Sequence, residues 1–160
     1  MPPVCEVTPE HIACVRDSVL EMFPTMCGYQ LTFEGTEEPG REFSGVAGII
    51  SLVGDVSWSL TLGLPPATAL ALSTSFTGFE VDYDSDDMAD LVGELANILA
   101  GDIAARLDRA RLRASLSLPT VARGQNLFLA QPDGASMTRM RFTSPDGGFW
   151  LTLGVAPTSG

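Results

Sequence analysis

Asp90, Glu94 and Asn97 are the residues whose types and spacing could do chemistry together. They fall in a stretch where Met88, Leu91, Val92, Leu95, Leu99, Ile103 and Leu107 recur at helical spacing. That periodicity predicts one amphipathic helix over residues 86–109, its apolar stripe turned to a core. Successive helical residues lie about 100° apart, so Asp90, Glu94, Asn97 and Gly101 fall within about 60° of one another opposite the stripe. Glu94 and Asn97 are an i, i+3 pair, close enough to engage one small target with a carboxylate and a carboxamide. Gly101 leaves the next turn of that face bare, open to close approach by a partner. Asn and Gly inside a helix each cost a fraction of to about one kcal/mol against Ala, so two of them on one face hint at use. The plain alternative is that this face is only the solvated side of a surface helix, and spacing alone favours that reading.

The elements that must position this helix can be read along the chain. Thr8 as N-cap, Pro9 in the first turn and Glu10 behind it open a helix carrying Ile12, Val15, Val19, Leu20 and Met22, with Pro24 as its expected stop. After a Cys27-Gly28 turn, residues 29–33 read as a short strand and 34–41 as an acidic loop. Residues 43–52 and 56–62 read as strands around a Gly54-Asp55 turn, a hairpin signal. Pro65-Pro66 opens a helix over 67–76 that Gly78 ends. Beyond the central helix, 114–118, 127–130, 137–142 and 149–155 read as strands, with turns at Gly124, Asp133-Gly134 and Asp146-Gly147-Gly148 and a frayed tail from 156. The expected fold is a single α+β domain spanning residues 1–160, with helices packed on a largely antiparallel sheet. The element order suggests two related halves, about 8–78 and 80–155. Asp17-x3-Glu21-x2-Pro24 repeats the spacing of Asp90-x3-Glu94-x2-Asn97 with Pro in place of Asn, although acids four apart are common on helices.

Charge and cysteine usage narrow the function classes. The net charge is −11, and the nine basic residues are all arginine. A pI near 4.2 argues against nucleic acid as a partner and against anionic membranes, both of which require a basic face. No positive n-region followed by an apolar run opens the chain, and the longest apolar stretch, 45–54, is too short to span a bilayer. Three cysteines, Cys5, Cys14 and Cys27, show no Cys-x2-Cys spacing, and a reduced cytoplasmic protein is the expectation.

Asp90-x3-Glu94-x2-Asn97, followed by Gly101 and, after a strand-like run, by Pro119, resembles the signature of the CheC/CheX/FliY family, and in length and placement of the motif the chain is most similar to the CheX type. The resemblance spans about residues 19–155. Asn97 and Pro119 are separated by 21 residues, one fewer than in the family pattern. The resemblance implies a CheC-like fold with an internal duplication, and a phosphatase acting on the aspartyl phosphate of a CheY-like receiver domain. It implies that Asn97 orients the attacking water, that Glu94 pairs with the receiver's lysine, and that Asp90 is at most a helper. The receiver supplies Mg²⁺, so no cofactor or metal is expected in this chain. A homodimer is expected by the same analogy.

Other candidates are weaker. The run Glu80-Val81-Asp82-Tyr83-Asp84-Ser85-Asp86-Asp87 invites a calcium loop but carries Asp87 where the loop needs Gly and Gly93 where it needs Glu. Ser85 or Asp84 as a helix cap, with acids in the first turn, is the better reading. Arg106, Arg109, Arg111 and Arg113 suit the negative end of the helix dipole. His11 and Cys14 could form half a zinc site, but buried or idle thiols fit better. With no lysine, no Gly-x-Gly-x2-Gly and one histidine, nucleotide-binding and Ser-His-Asp classes are disfavoured. Two rivals stand beside the phosphatase: a non-catalytic receiver-binding or flagellar-switch-like module, and a metal- or ligand-responsive domain built on the acidic run.

Overall fold

The computed structural model describes residues 6–40, 42–54, 56–109, 114–128 and 136–157. Helix α1 (Pro9–Cys27) starts where its sequence places it. The Thr8 hydroxyl accepts from the His11 N–H, and the His11 ring accepts from the Thr8 N–H, a reciprocal box that satisfies two otherwise orphaned donors. The helix does not stop at Pro24. It runs one turn further to Gly28, in the left-handed conformation (φ 72°), whose N–H donates to the Pro24 carbonyl. A proline here forfeits one bond near the end of the helix, and burial of Phe23 and Cys27 on either side outweighs it.

The strands form one antiparallel sheet: β1 (Thr32–Glu37), β2 (Phe43–Gly54), β3 (Val56–Leu64), β4 (Ala114–Leu116), β5 (Thr120–Leu127), β6 (Ser136–Ser144) and β7 (Gly147–Pro157). Their order is β1-β6-β7-β3-β2, with β4 and β5 sharing the outer edge of β2. Exchanging β1, β2 and β3 for β5, β6 and β7 leaves that order unchanged. Helices α1, α2 (Pro66–Thr77) and α3 (Asp86–Arg109) lie on one face of the sheet. Val15, Val19 and Phe23 of α1 are fully buried, with Phe23 stacked on Phe149 of β7 at 4.8 Å. Helix α2 ties down through Thr68, whose hydroxyl donates to the Gly148 carbonyl (2.8 Å). On the opposite face Trp150 covers Gly63, and the Arg139 guanidinium lies 4.4 Å over the indole.

The closest helix–sheet approach is at Gly48 of β2. A Cβ there would stand 2.8 Å from the Ala96 Cβ and 3.2 Å from the Val92 carbonyl oxygen, so only glycine lets α3 sit this low. All seven stripe residues of α3 are buried against the sheet, as their spacing predicts. Each such burial is worth roughly 1.5–3 kcal/mol, enough to fix how the helix is rotated about its axis.

Two strand assignments differ from the sequence reading. Residues 29–31 are not a strand: Tyr29 turns inward, buried, and its hydroxyl donates to the Ala71 carbonyl (3.2 Å). The chain extends only from Thr32 and does so through the expected acidic loop, pairing with β6 across a bulge at Gly35 (φ 107°). Strand β5 occupies residues read as a turn at Gly124. It is an edge strand of mostly half-exposed residues whose register against β2 shifts between Phe43 and Gly45, and the Asn126 φ of 52° breaks the alternation that would have marked it. Strand β4 stops at Leu116, short of the expected 118, and Ala156 continues β7 where fraying was expected. The expected turns at Asp55 and Asp133-Gly134 and the expected strand residues 129–130 lie outside the described residues.

His11 supplies a test of the α1 start. It is 6% exposed, its ring edge-on to Trp58 at 3.9 Å. Burial lowers its pKa below the ordinary 6.5 despite the opposing influence of Glu10 and the Glu6 backbone. The unfolded chain therefore takes up a proton at higher pH than the folded chain. The contribution is fully present above pH 6.5 and is lost as pH falls through the lowered folded value. Urea denaturation of the wild type should lose more stability between about pH 7.5 and pH 5 than that of His11→Gln, which has nothing to titrate there. Equal losses in the two proteins would refute this role.

Candidate functional site

Helix α3 is built to hold a rigid polar face. Ser85 caps it: its hydroxyl accepts from the Met88 N–H (3.1 Å) and donates to the Asp82 carbonyl (2.6 Å). Asp86 and Asp87 follow in the first turn, where the dipole favours negative charge. With the stripe buried, Asp90, Glu94 and Asn97 emerge exposed on successive turns of the outer face. A Cβ at Gly101 would meet nothing within 4 Å, so no contact among the described residues requires glycine at that position. Gly93 differs. It is buried beside Glu94, and a Cβ there would touch Val121 at 3.4 Å and Pro119 at 3.7 Å. Despite the one-residue difference in spacing, Pro119 thus lies against the motif helix, immediately before β5.

The acidic run does not hold its backbone open for a cation. Arg123 of β5 reaches into it, with Nη1 donating to the Tyr83 and Ser85 carbonyls (2.8 Å each) and Nη2 to that of Asp84 (3.0 Å). The guanidinium also lies 5.9 Å over the Tyr83 ring. Three carbonyls that converge as metal ligands might are already bonded to an arginine. Among the described residues, no group of three or more His, Cys, Asp or Glu side chains is placed to hold a metal ion. Nothing in the local sequence around Arg123 signals this contact, because its partners are backbone atoms some 40 residues away.

The loop that Arg123 holds forms one wall of a groove of about 510 Å³, with the outer face of α3 as the other. Asp90 and Glu94 line the groove; Asn97 lies beyond its end.

The basic residues at the far end of α3 do more than answer the dipole. Arg106 donates from Nε to Asp102 (2.8 Å) and from Nη2 to Glu21 of α1, while Ser18 of α1 donates to Asp102 (2.6 Å). Burial alone would raise the Asp102 carboxyl, but the hydrogen bonds from Arg106 and Ser18 outweigh it and hold the carboxyl below its ordinary range. Glu21, the α1 counterpart of Glu94 by spacing, is thus committed to a link between helices. Arg111 and Arg113 lie outside the described residues. At the start of α1, His11 Nδ1 is taken by the Thr8 N–H, and Cys27 is buried, its thiol pushed up to about 11. Cys5 lies outside the described residues. No helix among the described residues is long and apolar enough to cross a membrane.

A three-helix layer on an antiparallel sheet is a fold shared with solved CheC-like and CheX proteins. A CheC-like superfamily protein from Shewanella sp. PV-4 superposes with a TM-score of 0.84 at 22% identity, covering 92% of this chain and 98% of the other. The chemotaxis protein CheX from Vibrio vulnificus gives 0.83 at 20% identity, over 91% and 99%. A CheX from Borrelia burgdorferi, solved in complex with CheY, BeF3 and Mg²⁺, gives 0.73 at 21% identity, over 91% and 96%. The FliM middle domain from H. pylori and FliY from Thermotoga maritima superpose less well, both at 0.59, at 10% and 15% identity. No curated protein matches the sequence. The family model for the chemotaxis phosphatase CheX matches residues 46–143, most of the chain and all of α3, and the protein belongs to the CheX family.

Arg123 can be tested as the residue that shapes the groove. Arg123→Ala strands three carbonyls of a part-buried loop and should cost roughly 1–3 kcal/mol in chemical denaturation. Hydrogen exchange should speed up over residues 82–88 and stay unchanged over 94–103, in the buried middle of α3. Uniform acceleration across α3 would show that the loop and the helix are not separable in this way.

Proposed function

We propose that this protein hydrolyses the aspartyl phosphate of a CheY-like receiver domain, with the outer face of α3 as the catalytic surface. The observation that carries the reading is the pair Glu94 and Asn97, both exposed and one turn apart on a helix whose other side is fully buried, in a chain of the CheX family. A receiver seated on this face would present its acyl phosphate to Asn97. The Asn97 carboxamide would hold a water in line with the phosphorus. Attack by that water forms a new P–O bond and breaks the bond to the aspartate carboxylate, releasing inorganic phosphate and the free carboxylate. An acyl phosphate is already activated, so positioning supplies most of the rate and no shifted pKa is required of this chain.

Glu94 would pair with the receiver's lysine and set the docking register, with Asp90 a possible helper on the turn before it. The receiver would bring the Mg²⁺, leaving this chain without a metal of its own. The Borrelia CheX complex, which contains CheY, Mg²⁺ and BeF3 (a stand-in for the phosphoryl group), supports this division of labour by analogy. The second reading is a docking module without hydrolysis, which the likeness to FliM and FliY keeps in view. Asn97 weighs against it, since docking alone has no use for a carboxamide that costs helix propensity. On the phosphatase reading the first half of the chain is a degenerate repeat, with Asp17, Glu21 and Pro24 standing where Asp90, Glu94 and Asn97 stand in the second. The expected setting is the cytoplasm.

Phosphate release from receivers charged with acetyl phosphate tests the assignment. Asn97→Ala should lose about 10²-fold or more in kcat while keeping its stability or gaining a few tenths of a kcal/mol. Glu94→Ala should chiefly raise KM. Glu21→Ala should leave both constants alone, since its contact is with Arg106. Full activity in Asn97→Ala, or equal damage from Glu21→Ala and Glu94→Ala, would remove the catalytic assignment.

A homodimer is proposed on the same footing. Strands β4 and β5 pair only with β2 among the described residues, and Leu116, Leu118 and Phe128, in or beside them, are exposed. Sedimentation at high micromolar concentration should give a dimer mass; a monomer there would refute the proposal.

A further inference from the structure

The groove beside the motif has a build that hydrolysis does not require. Its floor is apolar, made by Phe76 at the end of α2, Val81 in the loop and Leu91 of α3. Among the described residues five carboxylates line it (Glu80, Asp82, Asp87, Asp90 and Glu94), and no basic residue does. Phe79 stands on its rim 72% exposed, although Val81 and Tyr83 of the same loop pack against the core. A loop able to tuck the side chains of Val81 and Tyr83 inward has left that of Phe79 in water.

From this we infer that the groove is a second docking site for the receiver domain, taking a surface segment in which a basic side chain stands next to an apolar one. The inference rests on the phosphatase reading for the identity of the partner. Three features of the site support that occupant. Continuity is the first: Glu94 closes one end of the groove, and at a rise of about 1.5 Å per residue Asp87 lies only about 10 Å further along the helix. A receiver of about 100 residues has a radius of gyration near 13 Å, so one seated on Glu94 and Asn97 must also cover the groove. Charge is the second. Five acids with no cation among them favour a basic occupant, and the proposed roles of Glu94 and Asn97 do not account for Glu80 or Asp82, which lie off that helix. Shape is the third: an apolar floor with an exposed aromatic rim suits the aliphatic stem of a lysine or arginine beside an apolar neighbour, which polar solvent alone would not. Arg123, by bonding the carbonyls of residues 83–85, holds the outer wall in place before the partner arrives.

This site sets which receiver is bound, not how fast the phosphate leaves. The test uses the full chain, receivers of the source organism charged with acetyl phosphate and Mg²⁺, and three variants: Phe79→Ser, the double Glu80→Gln/Asp82→Asn, and Asn97→Ala. For the groove variants KM should rise about tenfold with kcat within twofold, and in the double variant the dependence of KM on salt should flatten. Asn97→Ala should show the opposite split, with kcat lost and KM kept. An unchanged KM in both groove variants, alongside an inactive Asn97→Ala, overturns the groove and leaves the phosphatase reading intact. If the wild type releases no phosphate, the phosphatase reading fails by itself, and binding to a BeF3-charged receiver decides the groove. Weaker binding by Phe79→Ser would then sustain it, and equal binding, or no binding by the wild type, would overturn it.

Discussion

The descent of α3 onto β2 at Gly48 is the contact on which the rest of the structure depends. A glycine in the middle of a long strand loses packing and conformational entropy, and here it does so where Ala96 and Val92 come down upon it. With the helix this close, its apolar stripe has one favourable rotation, and any other would lift Leu95 and Leu99, both fully buried, toward water. The orientation of Asp90, Glu94 and Asn97 follows from that packing and not from any contact of their own. A second support acts at Gly93, where Pro119 and Val121 close over the helix from the start of β5. The polar face is thereby held from beneath and beside while staying open above.

Electrostatic links then fix the ends of the same helix. At its start, Ser85 and the acids of the first turn answer the positive end of the dipole, and Arg123 gathers the preceding loop. At its far end, Asp102 and Arg106 tie α3 to Ser18 and Glu21 of α1. Asp102 and Arg106 are both partly shielded, so the pair between them escapes most of the solvent screening that makes exposed pairs weak. The link also uses up Glu21, which by spacing alone looks like a second functional acid. By spacing alone Pro24 falls where Asn97 falls on α3, so that position of the first helix offers no carboxamide.

Much of this was legible in the sequence because α3 is governed by periodicity. Its boundaries, its stripe and the exposure of Glu94 and Asn97 all follow from a 3.6-residue repeat strong enough to dominate local propensity. The strands around 43–62 were legible for a different reason, as two runs set off by the Gly54-Asp55 turn signal. β1 and β5 were not. Both are edge strands, where half of each residue faces solvent and burial no longer imposes alternation, and both carry a left-handed or bulged residue (Gly35, Asn126) that reads locally as a turn. Tyr29 looked strand-forming by type, yet its partners Ala71 and Ser75 are more than forty positions away. Arg123 was hidden for a related cause: backbone carbonyls carry no sequence identity, so an arginine that seeks them leaves no pairing pattern. In the candidate site, therefore, the residues facing out and the Ser85 cap were readable, and the arginine holding the loop beside them was not.

The charge of the chain constrains what such a face can act on. With a net charge of −11, no lysine and carboxylates at Asp90 and Glu94, it is poorly suited to attract a free phosphate or any other bare anion. A phosphatase of small molecules would place cations around its leaving group, as phosphoryl transfer generally requires. On the proposed reading those cations, a lysine and Mg²⁺, belong to the partner, and the acids of this chain complement them. The convexity of the site follows from the same division. A helix with a bare turn at Gly101 cannot enclose a substrate, but it can enter a cavity that another domain provides. The chain then needs to contribute only a rigidly held carboxamide, an acid for register and a surface whose sign matches the cavity mouth. Those are the features that the packing of α3 on Gly48 presents.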